Sequence, residues 1–461
     1  MYSARVFAPT FDRVAHARRR ESLAEAMQGQ PFVLASGKPR PRNYAASVYP
    51  FRAASHFLYV FGISHPDALG HFDGNGWTLY LPNWGPEDAL WEGAVPSSAE
   101  VEERAGVPVH RRAQLPPLSS DVAALPTPDL ETCLELEQLL GRPIRPGLLE
   151  GADALLADAL IALRLRHDEH ALRELRLAAE TTAAVHRAGM GATRPGLRES
   201  EIAAVMEAEA LRRDVALAYL PIVTIHGEVL HNHHHQHLLG ERDLLLADVG
   251  AESPGGYAGD VTRTWPVSGR FSSTQRALYD VVLGAQRAAI DRVKPGVRYR
   301  DLHLHAALEM TRGLVALGIL RGDAEELVQD GVSALLFPHG VGHLLGLDVH
   351  DMEDLGDRAG YAEGRTRSGQ FGLKYLRLDR DLEPGMAVTI EPGLYVVPAI
   401  LQDPELSKIA GDRLDRRQLA HFSDVRGIRI EDDVVVTGSG AEVLTAAIPK
   451  EPSVVEEAVG R

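Results

Sequence analysis

One stretch, residues 244–267 with the sequence LLLADVGAESPGGYAGDVTRTWPV, constrains the fold of this chain more than any other. An apolar run ends at Asp248, and a turn containing Pro and Gly follows at 253–256. Gly supplies backbone freedom and Pro supplies rigidity, and a tight reversal of the chain needs both. A second strand then carries Asp260, so the stretch predicts a β-hairpin with one carboxylate on each arm.

The two carboxylates of this hairpin need an explanation, because a carboxylate at the end of an apolar strand is costly to bury alone. Two of them side by side also repel each other, and a divalent cation between them removes that cost. The alternative is that Asp248 and Asp260 are two solvated residues on an edge hairpin. The chain has 64 acidic residues, so the rest of the sequence has to decide between the two interpretations.

Length, charge and cysteine content narrow the class of protein. A chain of 461 residues is longer than chains that fold around a single hydrophobic core, so we expect two domains. Its net charge of −16 argues against nucleic acid and anionic membrane surfaces as partners. The N-terminus has no long apolar segment, so we expect no signal peptide and no membrane span. The single cysteine, Cys133, is expected to be a buried helix residue, and it fits a reducing, cytoplasmic location.

The first 165 residues alternate between helical and strand patterns, which predicts a small α/β domain. Helices are expected over 11–30, near 87–106 and over 129–140, and strands over 31–36, 56–63 and 76–82. In the first helix, Arg18, Arg19 and Arg20 are expected to form a solvated face. A long, charge-dense helical stretch at 154–190 follows, and we place the domain boundary near 165 within it.

Histidines are concentrated in the segment YLPIVTIHGEVLHNHHHQH at 219–237. The run at 233–237 predicts a His-rich surface loop that binds metal only adventitiously. His231 differs, because it follows the strand-like EVL and lies 17 residues before Asp248. We therefore expect His231 to enter the site from a neighbouring strand.

A second group of histidines lies in LLFPHGVGHLLGLDVHD at 335–351. His339, His343 and His350 are flanked there by glycines, which let other backbone or a substrate come close. This spacing favours a site over three separate core histidines. The preceding region is predicted to be helical, with a capping box of Ser272 and Gln275 opening one helix to about 293 and a second helix over 299–318.

Two further acidic residues lie on strands predicted at 386–397 and 426–437. Glu391 lies on the first strand and Glu431 on the second. Alternation along a strand places Arg429 on the same face as Glu431. With the hairpin, these segments supply two Asp, two Glu and one His. Such an oxygen-rich set suits two divalent metals about 3.5 Å apart, and it favours Mn²⁺ or Co²⁺ over a structural zinc site.

Four long motifs resemble the Xaa-Pro peptidases, the family of aminopeptidase P and prolidase. They are GYAGDVTRTWPVSGRF, HGVGHLLGLDVHD, EPGMAVTIEPGLY and GIRIEDDVVVT. The resemblance covers about residues 165–450, and FRAASHFLYVFGISHPDA extends it weakly into the N-terminal region. It implies an α+β protein with a C-terminal pita-bread catalytic domain at 166–461 and a smaller N-terminal α/β domain at 1–165.

The resemblance also implies a ligand set for two metal ions. Asp248 would bind one metal, and Asp260 and Glu431 would bridge both. His343 and Glu391 would bind the other metal, and Glu391 would also relay the proton as general base. The metal expected first is Mn²⁺, with Co²⁺ or Zn²⁺ as alternatives.

The remaining site residues are implied in the same way. His231, His339 and His350 would position the substrate and stabilise the developing oxyanion, and Arg429 would orient Glu431. The expected partner is a proline-containing peptide, and the chain is expected to form a homo-oligomer, either a dimer or a tetramer.

Two activities within the family stay open. GILRGDAEELV and the TRTWP hairpin favour aminopeptidase P, whereas YLRLDRDLEPGM and the 40-residue interval from Glu391 to Glu431 favour prolidase. Arg377 matches the prolidase arginine that receives a dipeptide carboxylate, for which a bidentate guanidinium is suited. The alternative for Arg377 is an ion pair with Asp379 or Asp381 on a solvated loop. The prediction is an Xaa-Pro aminopeptidase, with a dipeptidase second and a metal-free pita-bread binding protein as a remoter alternative.

Overall fold

The computed structural model of the chain describes residues 6–83, 85–94 and 96–460. Two compact units are present, Met1–His170 with Met352–Ala359, and Ala171–Asp351 with Gly360–Arg461. The sequence placed the boundary near 165. Within the described ranges, no helix combines the length and the apolar character needed to cross a membrane.

The first unit contains a five-stranded mixed sheet with the strand order β4-β3-β2-β1-β5. Its strands are β1 Phe32–Ala35, β2 Leu69–Phe72, β3 Trp77–Leu81, β4 Val109–Arg111 and β5 Ala123–Ala124. The helices before, between and after these strands are α1 Arg13–Ala26, α2 Ser55–Phe61, α3 Pro86–Glu92, α4 Ser98–Ala105, α5 Leu130–Leu140 and α6 Gly151–Arg164. Strands β1 to β3 are antiparallel neighbours, while β4 and β5 run parallel to β3 and β1. Cys133 is buried in α5, as predicted.

The strand predicted over 56–63 is wrong, because this segment forms helix α2. All of its residues from His56 to Phe61 are buried. A short apolar run that is buried on every side has no periodicity that separates a strand from a helix. The helix ends at Gly62, whose φ of 63° is in the left-handed region that favours glycine.

The solvated arginine face predicted in the first helix is also wrong for two of its three residues. Arg19 and Arg20 are each only 3% exposed. Arg19 donates to Asp168 at 2.7 Å, and Arg20 donates to the carbonyl of Ala105 at 2.8 Å. A buried guanidinium is stable when its donors are satisfied in this way.

The second unit holds two three-stranded sheets and a two-stranded ladder, with the strand orders β6-β7-β8, β13-β12-β9 and β10-β11. The strands are β6 Ile222–Thr224, β7 Leu244–Asp248, β8 Thr262–Pro266, β9 Ala387–Ile390, β10 Gly393–Tyr395, β11 Gly427–Arg429, β12 Asp432–Val436 and β13 Ala441–Val443. The longer helices are α7 Glu169–Ala192, α8 Glu199–Arg212, α9 Ser273–Ile290 and α10 Tyr299–Ala316. Its shorter helices are α11 Ala324–Gln329, α13 Pro398–Gln402, α14 Pro404–Ala410, α15 Arg416–Ala420 and α16 Pro452–Ala458, while α12 Asp357–Gly360 lies mostly in the first unit. Short 3₁₀ helices lie at Arg112–Gln114 and Glu353–Leu355 in the first unit and at Ser333–Leu335 and Leu373–Tyr375 in the second.

The predicted hairpin is formed by β7 and β8, which pair antiparallel with Asp248 opposite Thr262. The turn is closed by a hydrogen bond from Gly256 N to Ser253 O at 2.9 Å. Asp260 was expected inside the second strand, but it lies just before β8. Its backbone N–H donates to the Asp433 carboxylate, at 3.1 Å to the nearer oxygen, so the residue leaves the ladder and is held by a side chain instead.

An apolar core lies against the hairpin sheet and fixes its position. It includes Ile202 and Met206 of α8 and Trp265 of β8, all fully buried. The Trp265 indole N–H donates to Thr193 Oγ1 at 3.0 Å, which satisfies its buried donor. The arms that carry the two Asp residues are therefore built on a rigid support.

Both C-terminal strands predicted from the sequence are interrupted at their acidic residues. The first divides into β9 and β10 around Glu391 and Pro392. The ladder is interrupted there because a proline nitrogen has no hydrogen to donate to a neighbouring strand. The second divides into β11 and β12 around Glu431, whose N–H donates to Thr262 O of the hairpin at 3.1 Å. Each interruption thus moves a glutamate out of regular pairing and toward the hairpin or the cavity beside it.

Other helix predictions differ in detail. The stretch at 154–190 is two helices, α6 and α7, separated at 165–168. The capping box of Ser272 and Gln275 is present at the start of α9. The strand predicted before His231 is wrong, because residues 227–231 form turns and a bend.

Candidate active site

All ten side chains selected from the sequence as site residues line one cavity of about 450 Å³ in the second unit. They come from the hairpin, from the loops before it, from the Gly-rich segment at 335–351 and from the interrupted strands. The ten residues are His231, Asp248, Asp260, His339, His343, His350, Arg377, Glu391, Arg429 and Glu431.

Three of these side chains converge most closely. Asp260, His343 and Glu431 each offer one ligand atom, and the three atoms lie within 4.8 Å of one another. Over residues 6–83, 85–94 and 96–460, no other group of three or more His, Cys, Asp or Glu side chains does so. Two carboxylates and one imidazole form a donor set typical of divalent cations.

Asp248 and Glu391 lie beside this group. The Tyr219 hydroxyl is 2.5 Å from Asp248 Oδ1 and 2.6 Å from Asp260 Oδ1, which places the two hairpin acids on either side of one phenol. Glu391 Oε1 lies 3.7 Å from His343 Nε2. Asp248, Asp260, Glu391 and Glu431 are called the acid cluster below.

The imidazole of His343 has a defined tautomer. Its Nδ1 lies 2.9 Å from the carbonyl oxygen of Leu344, which can only accept, so Nδ1 carries the hydrogen. In the neutral ring, Nε2 then presents its lone pair to Asp260 Oδ2 at 3.2 Å. A lone pair facing a carboxylate is repulsive unless a proton or a metal cation lies between the two atoms.

Electrostatics within the acid cluster lead to the same conclusion. Burial, together with the neighbouring Asp248 charge, raises the pKa of Asp260 to about 7. Burial raises the pKa of Glu391 to about 7 as well, and burial with the Asp260 charge raises the pKa of Glu431 well above its ordinary value. Divalent cations would relieve this repulsion and allow Asp260, Glu391 and Glu431 to ionise, so the residues present fit such ions.

Arg429 places a positive charge of the protein itself beside the acid cluster. Its guanidinium donates to Asp248 Oδ2 at 2.5 Å, to Thr262 Oγ1 at 2.8 Å and to the Tyr395 hydroxyl at 2.9 Å. Thr262 Oγ1 in turn donates to Glu431 Oε2 at 2.6 Å. Arg429 was predicted to orient Glu431, and in the structure it reaches Asp248 directly and Glu431 through Thr262.

His339 is fixed by both ring nitrogens. Nδ1 lies 2.7 Å from the carbonyl oxygen of Gly340, and Nε2 lies 2.9 Å from the Tyr395 hydroxyl. Burial, and after it the charge of Arg429, lowers the pKa of His339 to about 3, so the ring is neutral. Nδ1 therefore donates to Gly340, and Nε2 accepts from Tyr395.

The other two substrate-directed histidines are placed differently. The ring of His350 lies 4.0 Å from that of His343, measured between centroids. His231 is exposed at the cavity. The half of its ring that faces the protein is desolvated, and this, followed by the charge of Arg429, lowers the pKa of His231 and favours the neutral ring.

The histidine run at 233–237 does not line the cavity. His237 Nδ1 lies 3.0 Å from the buried carboxylate of Glu199, and His235 Nε2 lies 3.1 Å from the carbonyl of Pro221. His233 and His234 are exposed. These contacts hold the loop in place, and the expectation that the run does not join the site remains a prediction.

Several residues at the site carried no usable signal in the sequence. Tyr219 precedes an ordinary strand pattern, and nothing in it indicates a contact with two acids. Glu228 lines the cavity with its carboxylate 2.9 Å from His226 Nδ1. Phe371 and Tyr375 line the cavity with their aromatic rings, and both residues lie in the segment that leads to Arg377.

Residues 173–438 match the family model of metallopeptidase family M24, and residues 16–122 match the aminopeptidase P N-terminal domain. A probable Xaa-Pro aminopeptidase PEPP of Uncinocarpus reesii (strain UAMH 1704) is 34% identical over 99% of this chain and 96% of its own length. The Xaa-Pro dipeptidase of Homo sapiens is 30% identical over 98% of this chain and 92% of its own.

Among solved structures, the aminopeptidase PepP of Pseudomonas aeruginosa is similar with a TM-score of 0.80 and 29% identity, covering 97% of this chain and 98% of that one. These matches confirm the predicted fold, an α+β protein with a catalytic pita-bread domain that follows a smaller N-terminal domain. With the family model matching more than half of its residues, the chain belongs to metallopeptidase family M24.

Proposed function

We propose that this protein hydrolyses the peptide bond between the first residue and proline in peptides that begin with Xaa-Pro. One observation carries the proposal, namely that Asp260, His343 and Glu431 converge within 4.8 Å in a cavity of the M24 domain. Relatives named as Xaa-Pro aminopeptidase and Xaa-Pro dipeptidase that cover nearly the whole chain support it further.

The proposed cofactor is a pair of divalent cations held by the acid cluster and His343. Asp260, His343 and Glu431 would hold the ions where their ligand atoms converge, and Asp248 and Glu391 would complete the ligand set beside them. Because the donors are mainly carboxylate oxygens, Mn²⁺ is the proposed metal, with Co²⁺ or Zn²⁺ as alternatives. When bound, such ions polarise a carbonyl group and make water nucleophilic near neutral pH.

The protein's own groups then have separate roles. Glu391 accepts a proton from the attacking water and returns it to the proline nitrogen as the peptide bond breaks. His231 and His350 border the cavity and would hold the substrate and stabilise the oxyanion that develops on its carbonyl. His339 has both ring nitrogens engaged, so it would shape the wall and fix Tyr395.

A dipeptidase is the second candidate function, and Arg377 favours it. Arg377 lines the cavity together with the aromatic residues Phe371 and Tyr375. A guanidinium in the wall is suited to the free carboxylate of an Xaa-Pro dipeptide.

A peptide assay tests both candidates. Purified protein is stripped with a chelator, reloaded with Mn²⁺, and given Leu-Pro, Leu-Pro-Leu and Leu-Ala-Leu, with products identified by mass spectrometry. Release of leucine from the proline peptides alone, and only with metal, supports the proposal. Cleavage of Leu-Ala-Leu at an equal rate, or cleavage unaffected by the chelator, would reject it. The ratio between the two proline peptides decides between aminopeptidase and dipeptidase.

A further inference from the structure

Tyr219 contacts the acid cluster from outside the cavity. Its hydroxyl lies 2.5 Å from Asp248 Oδ1 and 2.6 Å from Asp260 Oδ1, yet Tyr219 does not line the cavity. The residue precedes β6, whose Ile222 pairs with Asp248. The phenol thus links the ends of the two hairpin arms at the point where their acids meet.

The ring of Tyr219 lies close to the backbone at Gly250. A side chain at Gly250 would place its Cβ 3.0 Å from Tyr219 Cε1 and 1.7 Å from the carbonyl oxygen of Gly259. Only glycine fits at that position, and its absent side chain leaves room for the ring. This close approach involves the ring and does not depend on the hydroxyl group.

The hydroxyl has a role that packing does not explain. A phenol has one hydrogen to donate, and here two carboxylate oxygens lie within hydrogen-bond distance of it. The other oxygens of these acids are engaged elsewhere, since Asp248 Oδ2 accepts from Arg429 at 2.5 Å and Asp260 Oδ2 faces His343 at 3.2 Å. Asp248 is thus held at both oxygens, Asp260 is held at Oδ1, and Tyr219 is the contact that the two acids share.

We propose that Tyr219 is a positioning residue of the metal site, whose hydroxyl fixes Asp248 and Asp260 relative to each other so that they bind metal as one unit. This inference rests on the proposed function, because the two acids are ligands only if the acid cluster holds metal. It assigns Tyr219 no contact with substrate. Residues that orient metal ligands typically change metal affinity by 10- to 100-fold when they are removed.

The test uses Tyr219→Phe, which keeps the ring and removes only the hydroxyl. Tyr279→Phe is the matched control, because it removes a buried phenol hydroxyl that donates to the carbonyl of Lys450 instead of the acids and lies outside the cavity. Mn²⁺ affinity and stoichiometry are measured by calorimetry on chelated protein, with the visible spectrum of Co²⁺-loaded protein as a report on ligand geometry. Melting of the metal-free variants checks the fold.

We expect Tyr219→Phe to bind Mn²⁺ roughly 10- to 100-fold more weakly, with an altered Co²⁺ spectrum and a metal-free melting temperature close to that of wild type. Tyr279→Phe should bind Mn²⁺ with nearly wild-type affinity. Wild-type affinity and spectrum in Tyr219→Phe would overturn the inference and leave the proposed function intact. Failure of the wild type to bind Mn²⁺ would instead reject the proposed function.

A second variant covers the case in which Tyr219→Phe is too unstable to purify. Tyr219→4-aminophenylalanine keeps the ring and a hydrogen-bond donor in the same place. It should bind Mn²⁺ within a few-fold of wild type. A loss of affinity as large as that expected for the phenylalanine variant, in a folded protein, would show that donation to the acids is not what matters.

Discussion

Removal of the Arg377 side chain should affect dipeptides far more than tripeptides. Arg377 lines the cavity, and the backbone on either side of it is tightly held. The carbonyl of the preceding residue, Leu376, accepts from the Tyr361 hydroxyl at 2.7 Å and from Arg367 at 2.8 Å. A Cβ at Gly360 would lie 2.3 Å from the Arg377 carbonyl oxygen. Because the backbone is fixed by these contacts, Arg377→Ala should remove the guanidinium without moving the segment.

The size of the effect follows from the bond that is lost. A hydrogen bond to a charged group contributes roughly 1.5–3 kcal/mol. With a factor of ten for every 1.4 kcal/mol, kcat/KM for Leu-Pro should fall roughly 10- to 150-fold. Leu-Pro-Leu carries a neutral amide where the dipeptide has its carboxylate, so its kcat/KM should fall much less.

The assay compares kcat/KM for Leu-Pro and Leu-Pro-Leu in the wild type, Arg377→Ala and Arg377→Lys. Lysine keeps the charge but loses the bidentate geometry, so it should recover only part of the rate. Lys374→Ala is the control, because it removes a positive charge from an exposed position on the same segment that does not line the cavity. Equal losses for both substrates in Arg377→Ala would refute the carboxylate-receptor role.

Three further predictions concern the metal site and the histidines. Asp260→Ala and Glu431→Ala should each abolish peptide cleavage and reduce the amount of bound metal, while the circular dichroism spectrum stays native. The reason is that water cannot replace these carboxylates as ligands without loss of the site's geometry. Near-normal turnover in either variant would contradict the two-metal proposal. His350→Ala should lower kcat more than it raises KM, since an oxyanion contact forms only in the transition state. His234→Ala should leave kcat and KM nearly unchanged. The reverse pattern would show that His234 belongs to the site and His350 does not. Between pH 5.5 and pH 8.5, chelated wild type should lose more melting temperature, or gain less, than chelated Glu391→Gln, because burial raises the pKa of Glu391 to about 7, against about 4 in the unfolded chain. The folded wild type then holds a proton that the unfolded state has released, so this stabilisation is complete below about pH 4 and is lost as the pH rises through about 7. Buried histidines such as His339, whose pKa burial lowers to about 3, shift stability the opposite way in both proteins and cancel in the comparison; an identical pH dependence of the two proteins counts against a buried acid cluster.

Side chains whose surroundings follow from local pattern could be predicted from the sequence. The hairpin between Asp248 and Asp260 was predictable because an apolar strand, a Pro-Gly turn and a second strand leave one register. The start of α9 was predictable because Ser272 and Gln275 satisfy each other's backbone N–H groups.

Features set by distant contacts could not be predicted from the sequence. The interruption at Glu431 depends on its N–H reaching Thr262 of another sheet, 169 positions away in the chain. The burial of Arg19 depends on the carboxylate of Asp168, which no local pattern relates to it. Tyr219 is the clearest case at the site, because its role depends only on where β6 lies beside the hairpin.

The central claim is that hydrolysis of the Xaa-Pro bond requires divalent metal held by the acid cluster. The most direct measurement titrates Mn²⁺ into chelated protein and follows bound metal per chain and the rate of Leu-Pro-Leu and Leu-Pro hydrolysis in the same samples. The account predicts that activity is absent without metal, rises with occupancy and levels off at two ions per chain. Full activity in metal-free protein, or two bound ions without any cleavage of either peptide, would contradict it.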